Sequence, residues 1–138
     1  MRTAHPTSLR SAPDLHLRID DQRTPASIRR ALRDLMGPAA ATVPGQSTQL
    51  VCAELVNNVL GHTTGGGWLS AWWVPDRMIR LEAFDNDPSI PTLPSVPAVT
   101  QLHGRGLHIV DTIAARWGMH RLADGKAVWC EIDWPPSA

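Results

Sequence analysis

The sequence predicts an α/β protein of the α+β kind: a two-layer sandwich in which one mixed, mostly antiparallel sheet carries helices on one face. Three observations lead there. Helical periodicity fills residues 24 to 61 after a single short alternating stretch. Four alternating runs follow, interrupted by one further helical stretch near Leu107. The turns between them are rich in Gly, Pro and Asp. A chain of 138 residues is long enough to bury one core without disulfide or metal support.

The elements follow in order. LHLRI, residues 15–19, alternates as an edge strand does, and Thr24 or Ser27 can cap a helix running to about Met36, stopped by Gly37-Pro38. Residues 45–47 open a second helix that continues through Gly61. Beyond Gly65-Gly66-Gly67, strands at residues 68–74 and 78–84 are joined by the hairpin turn Pro75-Asp76-Arg77. From Asp85 the chain carries Pro88, Pro91, Pro94 and Pro97, too many for a helix or a central strand, so a surface loop runs to the glycines of HGRGL. Leu107, Val110, Ile113 and Ala114 recur at helical spacing and predict a third helix to about Arg116. Strands at residues 117–122 and 127–134 close the chain around the turn DGK. Residues 1–13 lack periodicity and form a flexible tail, leaving 14–136 as one domain.

Thirteen basic and thirteen acidic side chains cancel, so the electrostatic footprint of a nucleic-acid-binding protein is absent and small molecules or proteins are the expected partners. No leader and no apolar run of about 18 residues is present, which predicts a cytoplasmic protein away from the membrane. Cys52 and Cys130 lack CxxC spacing and read as buried free thiols. The six histidines show no metal-ligand spacing. Trp68, Trp72, Trp73, Trp129 and Trp134 either cover the sheet or form a patch for a partner or second subunit.

Three stretches carry chemistry. In ELVNNVLGHT, with Glu54 at 0° and 100° per residue, Asn57, Asn58 and Gly61 fall within about 60° of it. Cys52, Leu55, Val56 and Val59 occupy the far side. The stripe is either a plain surface face or a ligand site, where Asn58 offers an oxygen to Mg²⁺ and Glu54 acts as a base. In the second hairpin strand Asp85 is in phase with apolar Ile79, Leu81 and Ala83. It either turns out with the loop or points inward, where it needs a donor such as the exocyclic amine of adenine. HGRGL places Gly104 and Gly106 at a helix start, which makes either a simple turn or a phosphate seat to which Arg105 adds charge.

In this order the three stretches resemble the nucleotide-binding boxes of the GHKL ATPase superfamily, shared by histidine kinases, type II topoisomerases and heat-shock chaperones. More narrowly, residues 15 to 134 are similar to the small single-domain branch that holds the anti-sigma-factor serine kinases and the stand-alone ATP-binding regulatory proteins of actinobacteria. The resemblance implies a histidine-kinase-like ATPase fold, with ATP and Mg²⁺ as cofactors. It makes Glu54 the general base and Asn58 the Mg²⁺ ligand, and places His62 beside the pocket. DNDPSIP would give Asp85 to the adenine amine with Pro88 beside it, although Asp87 and Ser89 stand where many relatives have glycine. Gly104, Arg105, Gly106 and Leu107 would line the phosphates, and Lys126 in GKAVWCEI would border the adenine.

The function so implied is an anti-sigma-type serine/threonine protein kinase that phosphorylates a small antagonist protein in a partner-switching pathway. Its partners would be an anti-sigma antagonist or a sigma-factor-like protein, with no direct nucleic acid, and the branch's sheet surface allows a homodimer. The alternative is a nucleotide-gated protein-binding module without phosphoryl transfer. The catalytic half of a split histidine kinase is a third reading, and it needs a separate dimerisation protein because no phosphoacceptor helix with a His-Glu or His-Asp pair is present.

Overall fold

The computed structural model describes residues 11–20, 25–62, 66–86 and 104–134. Residues 1–10, Thr24 and the proline-rich segment with Asp87, Pro88, Ser89 and His103 lie outside the described residues. Of His62, Gly104, Arg105 and Gly106 only the backbone is described.

The elements run β1 (Leu15–Ile19), α1 (Pro25–Met36), a 3-10 turn (Gly37–Ala41), α2 (Val43–His62), β2 (Gly67–Val74) and β3 (Met78–Asp85), followed by α3 (Gly104–Ile113), β4 (Arg116–Leu122) and β5 (Gly125–Asp133). The five strands form one sheet in the order β1-β2-β3-β5-β4. All four pairings among the described residues are antiparallel, in keeping with the expected two-layer sandwich on a mostly antiparallel sheet. The α3 connection lets β5 enter between β3 and β4 while opposing both.

α1 starts with Pro25, whose fixed φ suits a first helical position, and stops where Gly37 takes φ +60°, which β-carbon-bearing residues rarely adopt. α2 begins at Val43, two residues before its expected start. Thr42 caps it: the Oγ1 accepts from the Gly45 N–H at 3.2 Å and donates to the Ala39 carbonyl at 2.6 Å. Pro44 is tolerated because first-turn amides need no helical partner. The hairpin turn holds Asp76 in the left-handed region at φ 64°.

Arg116 belongs to β4 and not to the end of the third helix, which closes at Ile113. Its guanidinium is drawn onto the sheet by Asp133 and by Glu131, the latter at 2.7 Å, and these hydrogen bonds raise its pKa above an already high value.

The inner face of the sheet meets the helices. Ile28, Leu32 and Met36 of α1, Val51, Cys52, Leu55, Val56 and Val59 of α2, and Val110 of α3 pack on Ile19, Leu69, Ala71, Ile79, Leu81, Ala83, Cys130 and Ile132. Trp73 and Trp134 join this core edge to face, with centroids 4.8 Å apart. The thiols of Cys52 and Cys130 are pushed up to about 12 by burial, as their reading as inert buried cysteines requires.

The outer face has a small core of its own. Arg80 is 1% exposed there, bonded to Glu131 at 3.0 Å and Glu82 at 3.2 Å. Its guanidinium lies over Trp129 at 4.5 Å and Trp72 at 6.0 Å. Trp72 in turn donates from Nε1 to the Ser11 carbonyl at 3.0 Å, so the chain before β1 borders this cluster. The Trp129 Nε1 has no partner among the described residues, and its indole lies against Gly118, where any β-carbon would crowd it.

Candidate functional site

Asp85 ends β3, and strand alternation turns it inward with Ile79, Leu81 and Ala83, as the sequence predicts. Only 5% of it is exposed. Its sheet neighbours are Gly67 on one side and Lys126 on the other. Gly67 and Gly125 grip its backbone, because a β-carbon on Gly67 would overlap the Phe84 carbonyl oxygen and one on Gly125 would overlap that of Asp85. The two flanking strands therefore close directly on this one residue.

Lys126 shares the inner phase of β5 with Val128, Cys130 and Ile132. Its Nζ stands 3.2 Å from Oδ2 and 3.3 Å from Oδ1 of Asp85, with side chains 5% and 7% exposed. In the sequence Asp85 wants a donor, and the resemblance sets Lys126 at the border of the adenine. The structure makes Lys126 that donor. The strand register was the signal, since Asp85 and Lys126 close their β3–β5 ladder as direct partners.

α2 presents Glu54 and Asn58 as half-buried residues and Asn57 as exposed, opposite its buried row of Cys52, Leu55, Val56 and Val59. Four residues separate α2 from Gly67, so its C-terminal end lies within roughly 17 Å of the sheet end that carries Asp85. α3 packs on α2 and on β4. Arg116, three residues after its end, pairs with Glu131 at the end of the sheet opposite Asp85. Leu107 is half-buried in the first turn of α3. Pro88 lies outside the described residues.

Among the described residues no three His, Cys, Asp or Glu side chains form a metal cluster. Mg²⁺ fits a different donor set, one or two protein oxygens with phosphate and water supplying the rest, and Asn58 offers such an oxygen. On the outer face, a cleft of about 300 Å³ is lined by Arg18, Gly67, Trp68, Phe84, Asn86 and Asp124. Of the residues singled out from the sequence, Trp68 lines it, and none of the expected catalytic, nucleotide-binding or metal residues does. Its Trp68 stacks on His16 at 4.5 Å. Among the described residues no helix is long and apolar enough to cross a membrane.

A relative from Streptomyces coelicolor, uncharacterized protein SCO4941, is 42% identical over 81 residues, covering 56% of this chain and 77% of that protein. The chain belongs to the same family as this Streptomyces protein. No protein-family model matches the chain. Among solved structures it is similar to the catalytic domain of histidine kinase ThkA, with TM-score 0.54, 13% identity, and 89% of this chain and 98% of that one covered. It is also similar to the histidine kinase domain of a blue-light activated kinase from Erythrobacter litoralis EL346, with TM-score 0.53 and 20% identity. That match covers 80% of this chain, which spans 59% of the kinase chain's length. The fold is therefore that of histidine kinase ATPase domains.

Proposed function

We propose that the protein is an ATP-binding regulatory protein, an anti-sigma-type serine/threonine kinase that phosphorylates a small antagonist protein in a partner-switching pathway. The observation that carries this reading is the buried, inward Asp85 at the sheet end, in a fold shared with histidine kinase catalytic domains. Asp85 accepts from the adenine amine, with Pro88 and Lys126 bordering the base. Asn58 gives its carboxamide oxygen to Mg²⁺. Gly104, Arg105, Gly106 and Leu107 line the phosphates, where backbone amides and the helix dipole favour negative charge. Bound Mg·ATP supplies the phosphoryl group and the charge neutralisation for its transfer. Glu54 takes the proton of a serine or threonine hydroxyl as that oxygen bonds to the γ-phosphorus and the bond to the departing ADP breaks. A homodimer and a cytoplasmic location belong to the same reading.

The nucleotide-gated binding module remains the second reading. Two observations favour it: Asp87 and Ser89 stand where kinase relatives have glycine, and Lys126 already engages Asp85. Transfer of labelled phosphate from ATP to serine-bearing antagonist proteins separates the two. Glu54→Ala should lower transfer at least about 100-fold while ATP affinity stays within about twofold. Equal transfer by the variant would refute the assignment of Glu54. ATP-dependent partner binding with no transfer by either protein would favour the module.

A further inference from the structure

α2 carries an uncharged row on the side it turns to solvent. Its exposed residues among those described are Val43, Gln46, Leu50, Asn57 and Gly61, and none is charged. Val43 is 77% and Leu50 46% exposed, and with Asn57 they recur every two turns, so they form one line along the helix. A helix face that meets only water ordinarily carries charged and polar side chains along its apex. α1 frames one flank of this row. The Gln49 side chain donates to the Ala40 carbonyl at 3.0 Å and so fixes which flank of α2 faces the turn that follows α1. Ala53 follows Gln49 by one turn on that flank and leaves only a methyl group there.

Arg29 and Arg33 stand one turn apart on α1, both exposed. Burial raises the Cys52 thiol and the Arg29 charge works against that rise, which puts Arg29 beside α2. Neither arginine makes an ion pair among the described residues. We infer that Val43, Leu50 and Asn57 of α2, with Arg29 and Arg33 as a basic rim, form a docking face for a partner protein's amphipathic helix whose apolar seam is edged by Asp or Glu. The anatomy is that of an interface, an uncharged centre beside a polar rim, with arginine among the favoured residues. A straight row at two-turn spacing is matched by a second helix laid along it, as in a paired-helix seam. A second copy of this chain fits less well: laid antiparallel about a twofold axis, it sets arginine flank against arginine flank.

The docking face is independent of nucleotide binding, and its failure leaves that site untouched. Two labelled synthetic helices serve as probes. They share one heptad leucine seam and differ in their flanks, glutamate in one and lysine in the other. Fluorescence anisotropy against the full chain at low salt should show the glutamate helix binding at least about tenfold more tightly than the lysine helix. Arg29→Glu combined with Arg33→Glu should reverse the order of the two probes. Leu50→Ser should weaken the glutamate helix about fivefold or more by removing the apolar anchor. Charge attraction alone would leave binding by Leu50→Ser unchanged.

Circular dichroism establishes that each variant is folded. If Leu50→Ser is not, Leu50→Ala reads the same loss. No binding of either helix, equal binding of both, or indifference to the arginine reversal or to the Leu50 substitution overturns the docking face. Self-association seen by sedimentation equilibrium and abolished by Leu50→Ser overturns it too, because the face then belongs to a second copy.

Discussion

Replacing Arg80 by methionine tests whether the outer face of the sheet is held by charge or only by apolar contact. The guanidinium is 1% exposed and serves Glu131 at 3.0 Å and Glu82 at 3.2 Å while lying over two indoles. Breaking a buried ion pair by removing one partner costs about 3–5 kcal/mol, because the other charge stays buried. Here Glu131 keeps Arg116 at 2.7 Å, and Glu82 is 32% exposed and reaches water, so the ionic part falls to about 2 kcal/mol. Loss of the desolvated cation–π contacts adds on the order of 1–2 kcal/mol, and methionine recovers some packing. The net expectation is about 3 kcal/mol, or roughly 10 °C in Tm for a chain of this size. Urea denaturation followed by tryptophan fluorescence measures it directly, since Trp129 reports on the cluster. The double variant R80M/E131M should recover part of the loss by removing the stranded acid. A shift within about 0.5 kcal/mol for R80M would refute the reasoning and reduce Arg80 to filler.

Other outcomes follow from single positions. Gly125→Ala sets a β-carbon against the Asp85 carbonyl oxygen, so it should destabilise the fold by about 2 kcal/mol or more and weaken ATP binding together. Gly61→Ala meets no atom within 4 Å among the described residues on the exposed side of α2 and should stabilise by up to about 1 kcal/mol, read by the same denaturation assay. The Cys52 and Cys130 thiols are raised from 9.0 to about 12 in the folded chain, so the stability they contribute is complete below pH 9 and is lost as pH rises from there toward 12. A Cys52→Ala/Cys130→Ala chain should show a shallower alkaline decline, and a thiol reagent at pH 8 should label the native protein only at its unfolding rate.

Most of this architecture is legible in the residues because local and tertiary preferences agree. The alternation of β1 to β3 and the amphipathic row of α2 place strands and faces and set Asp85 in phase with the inner one, while the choice between turning inward and turning out is made by its surroundings. Legibility fails where a distant partner decides. Arg116 has nothing in its neighbourhood to end the helix early, and it joins β4 because Glu131 and Asp133 lie across the ladder. Thr42 is a cap only once Pro44 is allowed in a first turn. The lysine beside Asp85 follows from strand register, 41 residues away in the chain, which no local pattern encodes. The outer core is hidden for the same reason: Arg80 becomes buried only when Trp72, Trp129 and Glu131 are brought around it by the sheet.

The central claim is that this sheet end binds Mg·ATP through Asp85. Calorimetric titration with ATP, with and without Mg²⁺, tests it on the unaltered chain beside Asp85→Asn and Asn58→Ala. The account predicts saturable binding that strengthens with Mg²⁺, is lost in Asp85→Asn, and in Asn58→Ala loses its Mg²⁺ dependence. Absence of heat and of competition by ATP analogues in the unaltered chain, or undiminished binding in Asp85→Asn, would contradict it.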